Sequence, residues 1–373
     1  MNDPWSDAGR VSGTVSGAGA AIVGSGSAVP ADMPQDALWS EFFAHHYRHS
    51  RVAEALWRRS GVQTRHGVAD PRVEDLSGWS TGARMRRFLQ EALPLGKGAL
   101  TACLADAGLG ARDIDHFTVV TCTGYATPGL DVLLARDVGM RKDLQRLSIG
   151  HMGCYAALPG LATVADTVTA RGGTGLLLCL ELTSLHIQPA TDDPVSDDPA
   201  IGDREQMVAH ALFSDAAAAV ALAPRRPGLE VVGLASSTDV EHAGLMTWDV
   251  TDLGFRMGLS PRVPKVLREH VAGVVEELLV PRGLRVADVA QWLIHPGGPQ
   301  IVDVVADRLA LPDERVALSR EVLRDHGNCS SATVLLILQR LRSAGALEAG
   351  DHVVALAFGP GLTLYAALLR QTV

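Results

Sequence analysis

His151-Met152-Gly153-Cys154-Tyr155-Ala156-Ala157 places a cysteine between two segments of opposite periodicity. A short strand-like run, Leu147 to Gly150, ends just before it. An apolar helical pattern (Ala156, Leu158, Leu161, Val164, Val168) starts just after it. A cysteine on a strand-to-helix turn faces the helix N-terminus, where unpaired backbone N–H groups and the dipole favour a thiolate. Cys154 is therefore a candidate nucleophile, set in a strand–turn–helix unit of a layered α/β protein.

The alternation of strand and helix continues on both sides. Ala20 to Gly24 reads as the first strand, Ala37 to Arg59 as a helical stretch, Leu100 to Ala107 as a helix and Phe117 to Cys122 as a buried strand. Pro128 to Val138 has a helical period with Pro in its first turn. Gly175 to Glu181 is an apolar run of the kind found in central strands. Thr191 to Glu205 holds six acids and reads as a solvated loop, and Ala216 to Leu222 as a strand. Pro224-Arg225-Arg226-Pro227-Gly228 is the clearest punctuation in the chain and marks a junction.

Beyond it, Leu229 to Leu234 and Val289 to His295 read as strands, and Val263 to Leu279, Pro299 to Leu309 and Ser330 to Ala344 as helices. His352 to Phe358 and Leu362 to Leu369 form a closing strand pair around Gly359-Pro360-Gly361. The organisation expected is a flexible extension (1–19) rich in Gly, Ser and Asp, a first half (20–224) and a second half (229–373) built by duplication.

Composition narrows the function. The 373 residues are 47% hydrophobic but 5% aromatic, so the core is built from Ala, Val and Leu. A net charge of −9 argues against nucleic acid as partner, since phosphate contacts need a basic face. The basic residues are almost all Arg, which suits a local anion site. Five cysteines (103, 122, 154, 179, 329) show no metal spacing and an odd count, which fits reduced thiols in the cytoplasm. No run approaches ~18 apolar residues, so no membrane-spanning helix is expected.

Two more segments carry chemistry. In Ile294-His295-Pro296-Gly297-Gly298-Pro299 a histidine ends an apolar strand before a sharp turn. In His326-Gly327-Asn328-Cys329-Ser330-Ser331-Ala332 an asparagine precedes a long apolar helix. Its amide can donate to a developing oxyanion without carrying charge. Taken singly, each residue has a bland reading: a small buried Cys, a satisfied His, a capping Asn. Their joint occurrence at element termini favours a Cys–His–Asn site.

These segments resemble the type III polyketide synthases, the chalcone synthase-like branch of the thiolase fold. Gly153-Cys154, His295-Pro296-Gly297-Gly298-Pro299, Gly327-Asn328-Cys329-Ser330-Ser331-Ala332 and Gly359-Pro360-Gly361-Leu362-Thr363 carry the likeness, in order, across the chain after Gly19. The resemblance implies a five-layered α/β/α/β/α homodimer. It makes Cys154 the acyl-accepting nucleophile, and His295 with Asn328 the pair that orients malonyl-CoA and stabilises the enolate left by decarboxylation. No metal or redox cofactor is implied; CoA thioesters are the substrates.

By the same resemblance, Phe213 and Phe255 match two gatekeeper phenylalanines between CoA tunnel and cavity. Arg58 and Arg59 lie where the family binds CoA phosphates. Cys122, His186 and Met246 stand where plant enzymes carry small or hydroxyl cavity residues, while Thr183 and Ser330 keep a hydroxyl. Thr127 replaces a Met that reaches into the partner subunit's cavity. Cys122 and Thr127 resemble bacterial members that admit an alkyl chain, so an aliphatic acyl-CoA starter is expected, with an alkylpyrone or a resorcinol/phloroglucinol-type product. The alternatives are a β-ketoacyl-carrier-protein synthase III-like single condensation and a non-catalytic acyl-binding partner. The Pro-Gly-Gly-Pro after His295 and the retained Cys, His and Asn speak against them.

Overall fold

The computed structural model describes residues 19–188 and 199–373. In the nine-stranded sheet, five strands come from the first half: β1 (Ala20–Ala28), β2 (His116–Val120), β3 (Gln145–Ile149), β4 (Gly175–Glu181) and β5 (Ala216–Pro224). Four come from the second: β6 (Leu229–Thr238), β7 (Val289–Ile294), β8 (His352–Gly359) and β9 (Thr363–Gln371). The order is β1-β5-β4-β2-β3 in one half-sheet and β6-β9-β8-β7 in the other. From the first strand outward, both halves run antiparallel, antiparallel, then parallel. One topology is thus used twice, with β3 added as an extra edge beside β2. The half-sheets meet at the pairs Ala21↔Glu230 and Ile22↔Leu229.

Among the described residues the α-helices of eight residues or more are α1 (Arg51–Arg58), α2 (Thr81–Ala107), α3 (Leu130–Val138), α4 (Ala157–Arg171), α5 (Pro199–Leu212), α6 (Val263–Leu279), α7 (Pro299–Leu309), α8 (Ala317–His326) and α9 (Ala332–Ala344). The pleat explains the layers. On β5, Ala216, Ala218, Val220 and Leu222 face a central core shared with α4, α9 and the second half-sheet. Ala217, Ala219, Ala221 and Ala223 face an outer core with α2 and α3. On β8, Val353, Ala355 and Ala357 face the central core, while Val354, Leu356 and Phe358 face a second outer core with α6 and α7. Strands buried on both faces read as unbroken apolar runs. The small alanines of β5 let the helices approach on both sides.

Several boundaries differ from the sequence reading. α2 has 27 residues, and its first nineteen escape the reading because Pro94, Gly96 and Gly98 look like breakers. Burial of Phe88, Ala92, Leu100 and Cys103 on one face outweighs that local penalty. The 37–59 stretch is broken at Tyr47–Ser50, where Arg48 and His49 have positive φ, and α1 follows as a separate helix capped by Ser50. α3 starts at Leu130, and Pro128 precedes it behind a cis peptide bond. The acidic stretch is not all loop: from Pro199 it is helical. Its 191–198 portion, like 1–18 of the extension, lies outside the described residues. A ribbon of Met246–Thr251 and Gly254–Leu259, absent from the sequence reading, packs on α5.

Candidate active site

The two central helices present the first two residues. Cys154 sits in the tight turn Gly153–Tyr155 that leads into α4, and Asn328 in the loop that leads into α9. The last two sit at strand ends. Leu293 faces the central core, so His295, two residues on, shares its side. By the same alternation Glu181 follows Cys179 on β4.

Gly153 is needed where it stands. Its φ is +75°, and a Cβ there would lie 2.6 Å from Pro360 Cδ. This brings the Gly359-Pro360-Gly361 turn against the Cys154 turn. Phe358, just before it, meets the His295 ring edge-on at 5.7 Å. Asn328 joins from the other side. Its Oδ1 accepts the Ser330 N–H at 2.9 Å, and Ser330 in turn hydrogen-bonds Cys154. The Asn328 backbone also pairs with the segment around Phe213, its N–H donating to Leu212 O at 2.8 Å and its carbonyl accepting from Ser214 N–H at 2.9 Å. Direct contacts thus link Cys154, Ser330, Asn328 and the Phe213 segment, while His295 is connected to the Cys154 turn through Phe358 and the Gly359-Pro360-Gly361 turn.

Its electrostatics are those of a dry site. Burial pushes the Cys154 thiol up to about 12, a hydrogen bond with Ser330 opposes this, and the Glu181 carboxyl adds to it. Burial alone holds His295 down to about 3. Both ring nitrogens of His295 are buried and find no hydrogen-bond partner among the described residues. Burial thus opposes the Cys154 thiolate that the helix N-terminus favours, and it disfavours the charged form of His295 as well.

Glu181 is the functional candidate that sequence reasoning missed. It is fully buried beneath the site. Ser331 Oγ donates to it at 2.5 Å, Thr123 Oγ1 at 2.8 Å and Cys122 N–H at 3.0 Å. Burial raises its pKa and these donors pull it back. The available signal was a carboxylate ending an otherwise wholly apolar strand. Cys122 Sγ lies 3.5 Å from Glu181 and 3.6 Å from Ser330 Oγ, so both residues belong to this floor.

Phe213, Phe255, Thr183 and His186 line one cavity of about 50 Å³, together with Trp248 and Met257. The Thr183 hydroxyl is engaged by Ser214 O at 3.0 Å and Asp215 at 3.1 Å, so it braces the wall rather than offering a proton to the cavity. Met246 is buried in the outer core opposite its strand partner Leu259, and it is Met257 that borders the cavity. Thr127 is exposed on the loop before α3. Arg58 and Arg59 are exposed at the end of α1, and Arg58 is paired with Glu54 at 2.7 Å.

Comparison with known proteins gives this arrangement its relatives. Residues 14–224 match the N-terminal domain of chalcone and stilbene synthases, and residues 237–373 match their C-terminal domain. A 3,5-dihydroxyphenylacetyl-CoA synthase of Amycolatopsis balhimycina is 36% identical over 295 residues, covering 78% of this chain and 76% of the relative. A 1,3,6,8-tetrahydroxynaphthalene synthase of Streptomyces peucetius subsp. caesius is 35% identical over 330 residues, covering 85% and 84%. The crystal structure of PKS-I from the brown alga Ectocarpus siliculosus superposes with a TM-score of 0.84 at 27% identity, covering 97% of this chain and 100% of that one. With both halves matched and the shared fold running nearly end to end, the chain belongs to the chalcone and stilbene synthase family and is a type III polyketide synthase.

Proposed function

We propose that Cys154 holds the growing acyl chain while His295 and Asn328 drive decarboxylation of malonyl-CoA beside it. An acyl-CoA starter first exchanges its CoA thiolate for Cys154, whose proton passes to the neutral His295 ring as the thioester forms. In each extension the malonyl C–CO₂ bond breaks and its electron pair moves onto the thioester oxygen. Donors aimed at that oxygen, the Asn328 NH₂ and a His295 N–H, stabilise the enolate, each worth roughly 3 kcal/mol. The enolate carbon attacks the Cys154-bound acyl carbonyl. A C–C bond forms, the C–S bond breaks and the thiolate is released. The chemistry as written calls for no metal or redox cofactor.

The observation that carries this reading is His295. A buried imidazole with both nitrogens unpartnered costs about 1–3 kcal/mol, a penalty that makes sense where a ligand supplies the partner. Product mass spectrometry and CO₂ release from malonyl-CoA, with a panel of acyl-CoA starters and with or without acyl carrier protein, test it. Absence of CO₂ release with no selective alkylation of Cys154 overturns it, and strict carrier dependence with one extension favours the single-condensation alternative.

For the starter we favour a short acyl group, malonyl itself included, over the long aliphatic chain expected from Cys122 and Thr127. His186, Trp248 and Phe255 put three bulky rings in the wall of the cavity that Phe213 also lines, which favours a compact starter. The two relatives above are named for polyhydroxylated aromatic products, which supports ring closure to a resorcinol-type aromatic. We also propose a homodimer formed through β3. That strand is the free edge of its half-sheet and exposes Leu147, beside the loop of Thr127. Sedimentation of wild type and Leu147→Arg checks this, with a monomeric wild type ruling it out. All five cysteines are unpaired, which supports a reducing cytoplasm. No helix among the described residues is long and apolar enough to cross a membrane.

A further inference from the structure

His186 does more than fill the cavity wall. It is buried on the turn after β4, and both ring nitrogens are committed. Nε2 lies 2.7 Å from the carbonyl oxygen of Thr123. A carbonyl only accepts, so Nε2 carries the proton and Nδ1 presents a lone pair. The backbone N–H of Phe255 donates to that lone pair at 3.0 Å. Gln188 Nε2 donates to the Phe255 carbonyl at 3.0 Å, so the backbone N–H and C=O of Phe255 are both held by side chains two residues apart.

The rings repeat the arrangement. The His186 ring lies flat on the Phe255 ring, with centroids 4.6 Å apart and planes at 10°. Trp248 meets both edge-on, at 5.5 Å and 5.9 Å. Its Nε1 donates to the Cys122 carbonyl at 2.8 Å. Gly254 makes the approach possible. A Cβ there would lie 2.7 Å from Arg84 Cδ and 3.1 Å from His186 Nδ1, and its φ is +109°. Phe255 sits on a two-stranded ribbon, which is marginally stable without outside anchors.

We infer that His186 is a positioning residue that clamps the gate: it fixes the backbone and ring plane of Phe255 and ties them to the Cys122–Thr123 segment beside Cys154. This rests on reading Phe255 as the gate between the CoA side and the cavity. A fixed gate keeps water from the enolate, so that the carbanion attacks the acyl thioester instead of taking a proton and leaving as a saturated acyl-CoA. His186 touches no reacting atom; it acts through Phe255.

The test compares His186→Leu, which keeps bulk and loses both hydrogen bonds, with His186→Gln, whose amide keeps a donor and an acceptor. In His186→Leu, CO₂ released per C–C bond formed should rise about tenfold, and KM for malonyl-CoA should rise more than kcat falls. His186→Gln should stay within about threefold of wild type in both. Leu coupled like wild type, or Gln as uncoupled as Leu, overturns the clamp. Hydrogen exchange of the Phe255 amide, followed by mass spectrometry on the 254–259 peptide, reads positioning without turnover. Exchange should quicken about tenfold in Leu and not in Gln. Equal protection in wild type and Leu overturns the inference, whereas a wild type that releases no CO₂ counts against the catalytic reading alone.

Discussion

The Ser330 N–H donates to Asn328 Oδ1 at 2.9 Å, and that bond decides which way the amide faces. With the oxygen taken, the NH₂ is turned away from Ser330, available to an anion. Asn328→Asp keeps the acceptor for Ser330, loses the donor and adds negative charge. Its CO₂ release from malonyl-CoA should fall about 10²–10³-fold. Retained decarboxylation in Asn328→Asp would remove the residue from the oxyanion role.

Cys154→Ala should separate the two half-reactions. Acyl transfer from a labelled acyl-CoA is lost, while decarboxylation persists because its donors, His295 and Asn328, remain. Intact-protein mass spectrometry and CO₂ measurement read the two steps independently. Loss of both in equal measure argues that Cys154 is needed to build the site.

His295 should show opposite effects on activity and stability. Replacing it with Leu removes a buried ring with no hydrogen-bond partner among the described residues, which should stabilise the fold by about 1–2 kcal/mol. The same change should abolish decarboxylation. Chemical denaturation together with CO₂ release checks the pair of outcomes, and a destabilised, active variant contradicts it.

Glu181 raises the Cys154 thiol pKa through its charge. Glu181→Gln should therefore lower that pKa and speed alkylation of Cys154 by iodoacetamide near neutral pH. The pH–rate profile should shift acidward. An unchanged profile would mean that the carboxyl is protonated at rest.

Acid should weaken the fold in a defined window. Burial holds His186 to about 4 and His295 to about 3, below the ordinary 6.5. Between 6.5 and those values the unfolded chain binds protons that the folded chain refuses. Their stabilisation is therefore full above pH 6.5 and is lost as pH falls. Glu181 and Asp215 act in the opposite sense, since burial raises their pKa. His186 isolates the histidine part: in His186→Gln the loss between pH 7 and pH 5, measured by denaturant unfolding, should shrink by about 2 kcal/mol.

Elements with a strong local signal were legible in the chain itself. Two-sided burial writes β4, β5 and β8 as apolar runs, and helix periodicity marks α4, α6 and α9. The N-terminal part of α2 was hidden because Pro94 and two glycines dominate its local propensity, and burial against β1 and β5 that outweighs them is non-local. Thr183 looked like a cavity hydroxyl, but its partner is Asp215, thirty-two positions away.

Strand ends and turns into helices are marked by local residue patterns, so the α/β alternation and the candidates Cys154, His295 and Asn328 could be read from the chain. What surrounds those residues came from the folded core. Desolvation depends on what packs around a group, so it took the assembled core to push the Cys154 thiol pKa up and the His295 pKa down. Contacts between distant segments gave Glu181 its floor and His186 its hold on Phe255, pairings that no window of sequence contains.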